Sequence, residues 1–100
     1  MISPNGKMEP LSTLLELPDR YELMLDMPLG DERSLTVGVY KRVLKVKMNL
    51  REPLTIGEYE IKEYVKVFKI PEDAEEEYEV IVKRVGGPIV IIVFPKIGRP

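Results

Sequence analysis

Pro18-Asp19-Arg20-Tyr21-Glu22-Leu23-Met24-Leu25-Asp26-Met27-Pro28 carries the pattern that decides the fold. Tyr21, Leu23, Leu25 and Met27 alternate with Glu22, Met24 and Asp26, and a proline stands at each end. A period of two sends one set of side chains to a core and the other to water, as a half-buried β-strand does. Proline has no amide hydrogen to give a ladder, so it belongs at strand ends. The stretch reads as a strand with marked limits.

The same spacing recurs on either side. Leu35, Val37 and Val39 alternate with Thr36, Gly38 and Tyr40; Leu44, Val46 and Met48 with Lys45, Lys47 and Asn49; Tyr78, Val80 and Val82 with Glu79, Ile81 and Lys83. Pro53, Pro71, Pro88 and Pro95 border further apolar segments. Seven strands follow: Thr13–Leu17, Tyr21–Met27, Ser34–Tyr40, Val43–Leu50, Glu60–Ile70, Glu77–Val85 and Ile89–Phe94. The turns carry Pro-Asp, Leu-Gly-Asp and Gly-Gly, which favours an all-β sandwich over a parallel sheet. Lys41-Arg42 lacks the Asn-Gly signature of a tight hairpin. The one helical candidate, Glu72 to Val80, is so acidic that a loop with one helical turn is expected.

The last strand breaks the alternation. Ile89/Ile91/Val93 and Val90/Ile92/Phe94 are both apolar sets, and a slip of one residue would exchange them. Three large side chains therefore need cover outside the core, worth about 5 kcal/mol gross at roughly 1.5–3 kcal/mol each. Residues Met8 to Leu15 folding back, a second copy of the chain, or a bound polypeptide are the three covers considered. Ile89, Ile91 and Val93 are the self-association candidates.

One hundred residues suit one domain. Hydrophobic content of 44% is ordinary, while 32% charged residues is high. A net charge of −2 gives no general pull toward nucleic acid or an anionic membrane. No apolar run approaches a membrane span, and the N-terminus lacks the apolar core of a signal peptide, so a cytoplasmic setting is expected. The chain has no Cys, His, Gln or Trp, and many Lys and Glu. That bias resembles heat-adapted proteins.

The inventory for catalysis is thin. No His is present for proton transfer, no Cys nucleophile, and of three serines none sits in a nucleophile elbow. No GxxxxGK stretch offers a P-loop. Glu72, Asp73, Glu75, Glu76 and Glu77 read as a solvated loop, without the spacing of a calcium loop. The expectation is no enzyme, no metal, no cofactor and no small-molecule substrate. Lys62, Tyr64 and Lys66 on one strand, with Lys45 and Lys47 on another, suggest a phosphate track with a stacking ring. Glu58, Glu60 and Glu63 nearby cancel its field, so nucleic acid is not expected.

Four segments, in order, resemble the alpha-crystallin domain of the small heat shock proteins. Tyr21–Met27 is similar to the aromatic-led strand ending in hydrophobic-Asp-hydrophobic. Ser34–Val39 with Val43–Val46 resembles the next strand pair. Phe68-Lys69-Ile70-Pro71-Glu72-Asp73 is similar to the family's aromatic-x-hydrophobic-Pro segment, and Gly87–Val90 through Pro95-Lys96 stands where its Gly-x-Leu signature and last strand stand. The resemblance implies an immunoglobulin-like antiparallel β-sandwich of about seven strands in residues 9–96, between an N-terminal arm (1–8) and a short C-terminal tail (97–100). It implies an ATP-independent holdase for unfolded or partly folded proteins. It also implies a groove between two edge strands, with Leu35, Val37, Val39, Tyr78, Val80 and Val82 as its candidates. Residues 50–60 are shorter than the family's usual excursion, which in many members exchanges a strand between subunits. The tail lacks Ile-x-Ile, so a monomer or homodimer is expected rather than a large assembly. The compact form also resembles the CS-type co-chaperone fold, which docks one folded partner.

Overall fold

A computed structural model describes residues 5–98. Eight strands form: β1 (Lys7–Met8), β2 (Leu11–Glu16), β3 (Arg20–Asp26), β4 (Thr36–Tyr40), β5 (Val43–Ile56), β6 (Tyr59–Lys69), β7 (Glu79–Arg84) and β8 (Pro88–Pro95). They make two four-stranded sheets, ordered β1-β6-β5-β4 and β2-β3-β8-β7. All pairs are antiparallel except β1 with β6. The sheets face each other as an all-β sandwich. Residues 9–10, 27–35 and 70–78 carry the chain from one sheet to the other.

The core is built from the alternating sets. Tyr21, Leu23 and Leu25 of β3 and Val90, Ile92 and Phe94 of β8 meet Leu44, Val46, Met48 and Leu50 of β5, with Ile61 and Tyr64 of β6. No polar or charged residue is buried among the described residues. The register of β8 is thereby fixed: Leu23 pairs with Ile92 and Val82 with Val90, so Ile89, Ile91 and Val93 take the outer face.

Three features depart from the sequence expectation. First, residues 50–60 are a paired arm, where the sequence ends one strand at Leu50 and opens the next at Glu60. β5 and β6 run on past the sandwich, paired Leu54 to Ile61 and Ile56 to Tyr59 around Gly57-Glu58. A bulge between Asn49 and Leu54 lets the ladder resume beyond Pro53, so the proline's missing N–H breaks no pairing. Second, residues 32–34 turn as a short 3₁₀ helix instead of opening β4. Asp31 accepts from the Arg33 amide at 3.1 Å and caps it. Ser34 Oγ donates to the Asp31 carbonyl and accepts from the Asn49 amide, which anchors the turn to β5. Third, Met8 to Leu15 do not fold over β8. β1 adds to the edge of β6, and β2 lies in the plane of its sheet beside β3.

Two backbone positions explain local residue choice. A Cβ on Gly30 would run into Met48 Sδ and crowd the Met27 carbonyl, so the crossover passes this close to the core only with glycine. The β4–β5 hairpin turns through Lys41 (φ 50) and Arg42 (φ 64), the left-handed pair that normally calls for Asn-Gly. Arg42 offsets the strain with three contacts to the following crossover. Its guanidinium donates to the Pro71 and Ala74 carbonyls at 2.6 and 2.7 Å, and its amide to Glu76 at 2.9 Å.

Candidate functional site

β4 and β7 are the edge strands of the two sheets, and they lie at the same side of the sandwich. Cross-strand partners fix where their side chains point. Val37 and Val39 pair with the buried Val46 and Leu44, and Val80 and Val82 with the buried Ile92 and Val90. All four therefore aim between the sheets, at a rim where no further strand seals them. Leu35, Val37, Val39, Tyr78 and Val82 are half-buried against the core, and Val80 is 38% exposed. The six predicted groove residues are thus brought to one apolar mouth.

Tyr78 spans that mouth. Its ring lies 6.4 Å from the Phe94 ring at 59°, within the range of a tilted aromatic pair, and its hydroxyl donates to the Val37 carbonyl at 3.2 Å. Phe68 stacks on the other side of Phe94 at 6.2 Å. One backbone acceptor of β4 is therefore occupied by a side chain, and the remainder of the edge is open to strand pairing. The long reach of the Tyr78 hydroxyl to β4 is not visible in a strand's alternation; only the three-dimensional crossing of the sheets creates it.

The other sequence candidates are dispersed. Tyr64 is buried and donates to the Pro28 carbonyl at 2.7 Å, so its ring cannot stack on a base. Burial, the largest cause, together with the nearby Asp26 charge holds its phenol above the usual tyrosine range. Lys66 pairs with Glu9 at 2.9 Å, and Lys62 with Glu60 at 3.5 Å. The 72–77 segment is a loop, and its members have separate tasks. Asp73 accepts from Tyr21 Oη at 2.7 Å, and Glu76 holds the Arg42 amide. That hydrogen bond, with desolvation and the charge of Asp73 behind it, pushes the Tyr21 phenol up to about 12. Among the described residues no group of His, Cys, Asp or Glu is placed to hold a metal ion, and no helix is long and apolar enough to cross a membrane.

A cleft of about 730 Å³ lies away from this mouth, between residues 28–33, Arg51 and the β7–β8 turn. Two of its three arginines are answered: Arg84 forks onto Glu32, one contact being 2.8 Å, and Arg33 reaches Asp31 at 3.5 Å, while Arg51 makes no ion pair among the described residues. It offers no convergent set of free groups.

No family model and no curated protein matches this sequence. Solved structures do match the fold. HSP18.5 from E. histolytica superposes with a TM-score of 0.72 at 20% identity, over 93% of this chain and 92% of that one. Heat shock protein 16.0 from Schizosaccharomyces pombe gives 0.71 at 13% identity, over 97% and 77%. A small heat-shock protein from Xylella fastidiosa gives 0.70 at 19%, over 93% and 90%. With strand order, edges and crossovers in place along nearly the whole chain, the fold is the β-sandwich of the small heat shock proteins.

Proposed function

We propose that this chain is an ATP-independent holdase, with residues 9–96 as the client-holding unit. The observation that carries it is the open mouth between β4 and β7, with Val37, Val39, Val80 and Val82 aimed into it from two unpaired edges. An extended stretch of a partly unfolded protein can add beside either edge. Main-chain hydrogen bonds then supply sequence-independent affinity, and every second side chain enters the apolar mouth. The event needs no nucleotide, because nothing is chemically changed; binding removes the client's apolar segment from the pool that aggregates. The likeness of fold to small heat shock protein structures supports this reading, and a cytoplasmic setting is proposed with it. A homodimer is the assembly proposed. The Lys- and Glu-rich surface suits a heat-adapted source.

The test is suppression of turbidity when unrelated client proteins are heated with this one. A holdase protects at near-stoichiometric ratios across clients, whereas a CS-type adaptor docking one folded partner protects none. Val39→Asp and Val82→Asp place a charge at the half-buried mouth and are expected to abolish protection while circular dichroism still reports a β-sandwich. Undiminished protection by both folded variants would refute the groove assignment.

A further inference from the structure

The outer face of the β2-β3-β8-β7 sheet poses a separate question. Leu15, Met24, Ile81, Ile89, Ile91 and Val93 share that face by register, and among the described residues no strand lies over it. Ile91 is only 7% exposed because its cross-strand neighbours Met24 and Ile81 close on it from both sides. Toward β7 the face opens into a cleft of about 640 Å³, lined by Arg20, Glu22, Tyr78, Glu79, Ile81, Val93 and Pro95, with Glu77 at its rim. The floor is apolar and the rim is acidic. Arg20, the cleft's own cation, is engaged by Asp19 and Glu22 at 2.8 Å each. Among the described residues neither Glu77 nor Glu79 has a cationic partner.

We infer that this face reads the second set of side chains on a client segment, and that it selects segments in which lysine or arginine alternates with apolar residues. The inference rests on the holdase reading, because the segment must first pair with the β7 edge. An added strand projects alternate side chains to opposite faces. One set enters the mouth beside Val80 and Val82; the other stands on the outer face beside Glu79 and Ile81, within reach of Glu77. Two unpaired carboxylates there favour cations, while Ile81, Val93 and Pro95 hold the aliphatic stem of the same side chain. A second copy of this chain is the poorer occupant. Stacking two such faces about a two-fold axis brings Asp26 and Glu79, neither paired with a cation among the described residues, onto a face carrying the same two carboxylates, with Lys83 alone to answer them.

Three labelled peptides test it by fluorescence anisotropy at low salt: valine alternating with lysine, with serine and with glutamate. The lysine peptide is expected to bind about tenfold more tightly than the serine peptide, and the glutamate peptide more weakly than either. In the double variant Glu77→Gln/Glu79→Gln the lysine-to-serine ratio should fall to about one, as it should for the parent in high salt. Equal affinities for lysine and serine peptides, or a preference that survives in the folded double variant, overturn the inference and leave the holdase reading standing. Failure of all three peptides to bind, with no client protected, overturns both. A concentration-dependent dimer that Ile81→Lys dissociates, and that excludes the lysine peptide, would assign the face to a second copy instead.

Discussion

β5 and β6 are each two strands in one. Over residues 43–50 β5 alternates exposed and buried positions against β6, because a second sheet lies beneath it. Past the bulge the same two strands remain paired, yet Ile56 is 38% and Tyr59 45% exposed, and only Ile61 is buried. Hydrogen-bonded pairing is common to both halves; burial is not. The arm stretches the molecule to 50 × 27 × 19 Å. A ladder without a facing layer gains little from the hydrophobic effect, so its stability is borrowed from the sandwich.

The sharpest way to break that comparison is to remove equal side chains from both regions. Ile92→Ala empties a site with no solvent exposure and should cost about 2–5 kcal/mol in urea denaturation. Ile56→Ala on the arm should cost less than about 1 kcal/mol. Comparable losses would mean that the arm is packed in solution, which in an isolated protein requires a second copy.

A smaller effect is expected where the crossover at residues 27–35 touches the sandwich. Gly30→Ala forces a methyl group against Met48 Sδ and the Met27 carbonyl, and should destabilise by about 1–3 kcal/mol. Gly57→Ala on the arm meets no atom within reach, so its penalty comes from φ +60 alone. If the Gly30 variant matches the parent's urea midpoint, the crossover is not held as tightly as its contacts indicate.

The sequence was most informative where a second layer exists. Tyr21, Leu23 and Leu25 alternate because the opposing sheet demands it, and the all-β sandwich follows from that demand repeated along the chain. The inward direction of Val37, Val39, Val80 and Val82 was legible for the same reason. The arm was not, since the alternation reads as ending at Leu50 and starting again at Glu60, and nothing local reveals that a bulge lets pairing resume beyond a proline. β1 escaped notice because two residues cannot show a period, and its partner is distant in the chain. β8 was ambiguous in register alone: both faces are apolar, and only pairing to Leu23 and Val82 decides that Val90, Ile92 and Phe94 go inward.

The smallest expected effect separates body and arm by pH. Tyr21 Oη donates to Asp73 and so ties β3 to the 70–78 crossover, and the fold raises that phenol from 10 to about 12. The protonated form is the one that the folded state favours. Its contribution is therefore complete below pH 10 and disappears as pH climbs from 10 through about 12, where the phenolate would face the carboxylate. Tyrosinate absorbance should show two late-titrating phenols, Tyr21 and the buried Tyr64, of which only the Tyr64 one remains in Tyr21→Phe, and the variant should lose the matching fall in stability over that alkaline interval. Hydrogen exchange along residues 54–61 should not register the difference, because no bond of the arm depends on Tyr21. A parent and variant with the same alkaline titration would show that the Tyr21–Asp73 tether is not made in solution, and that the crossover is held without it, by Arg42, by the Glu75–Pro95 and Ile97–Asp73 backbone hydrogen bonds and by packing.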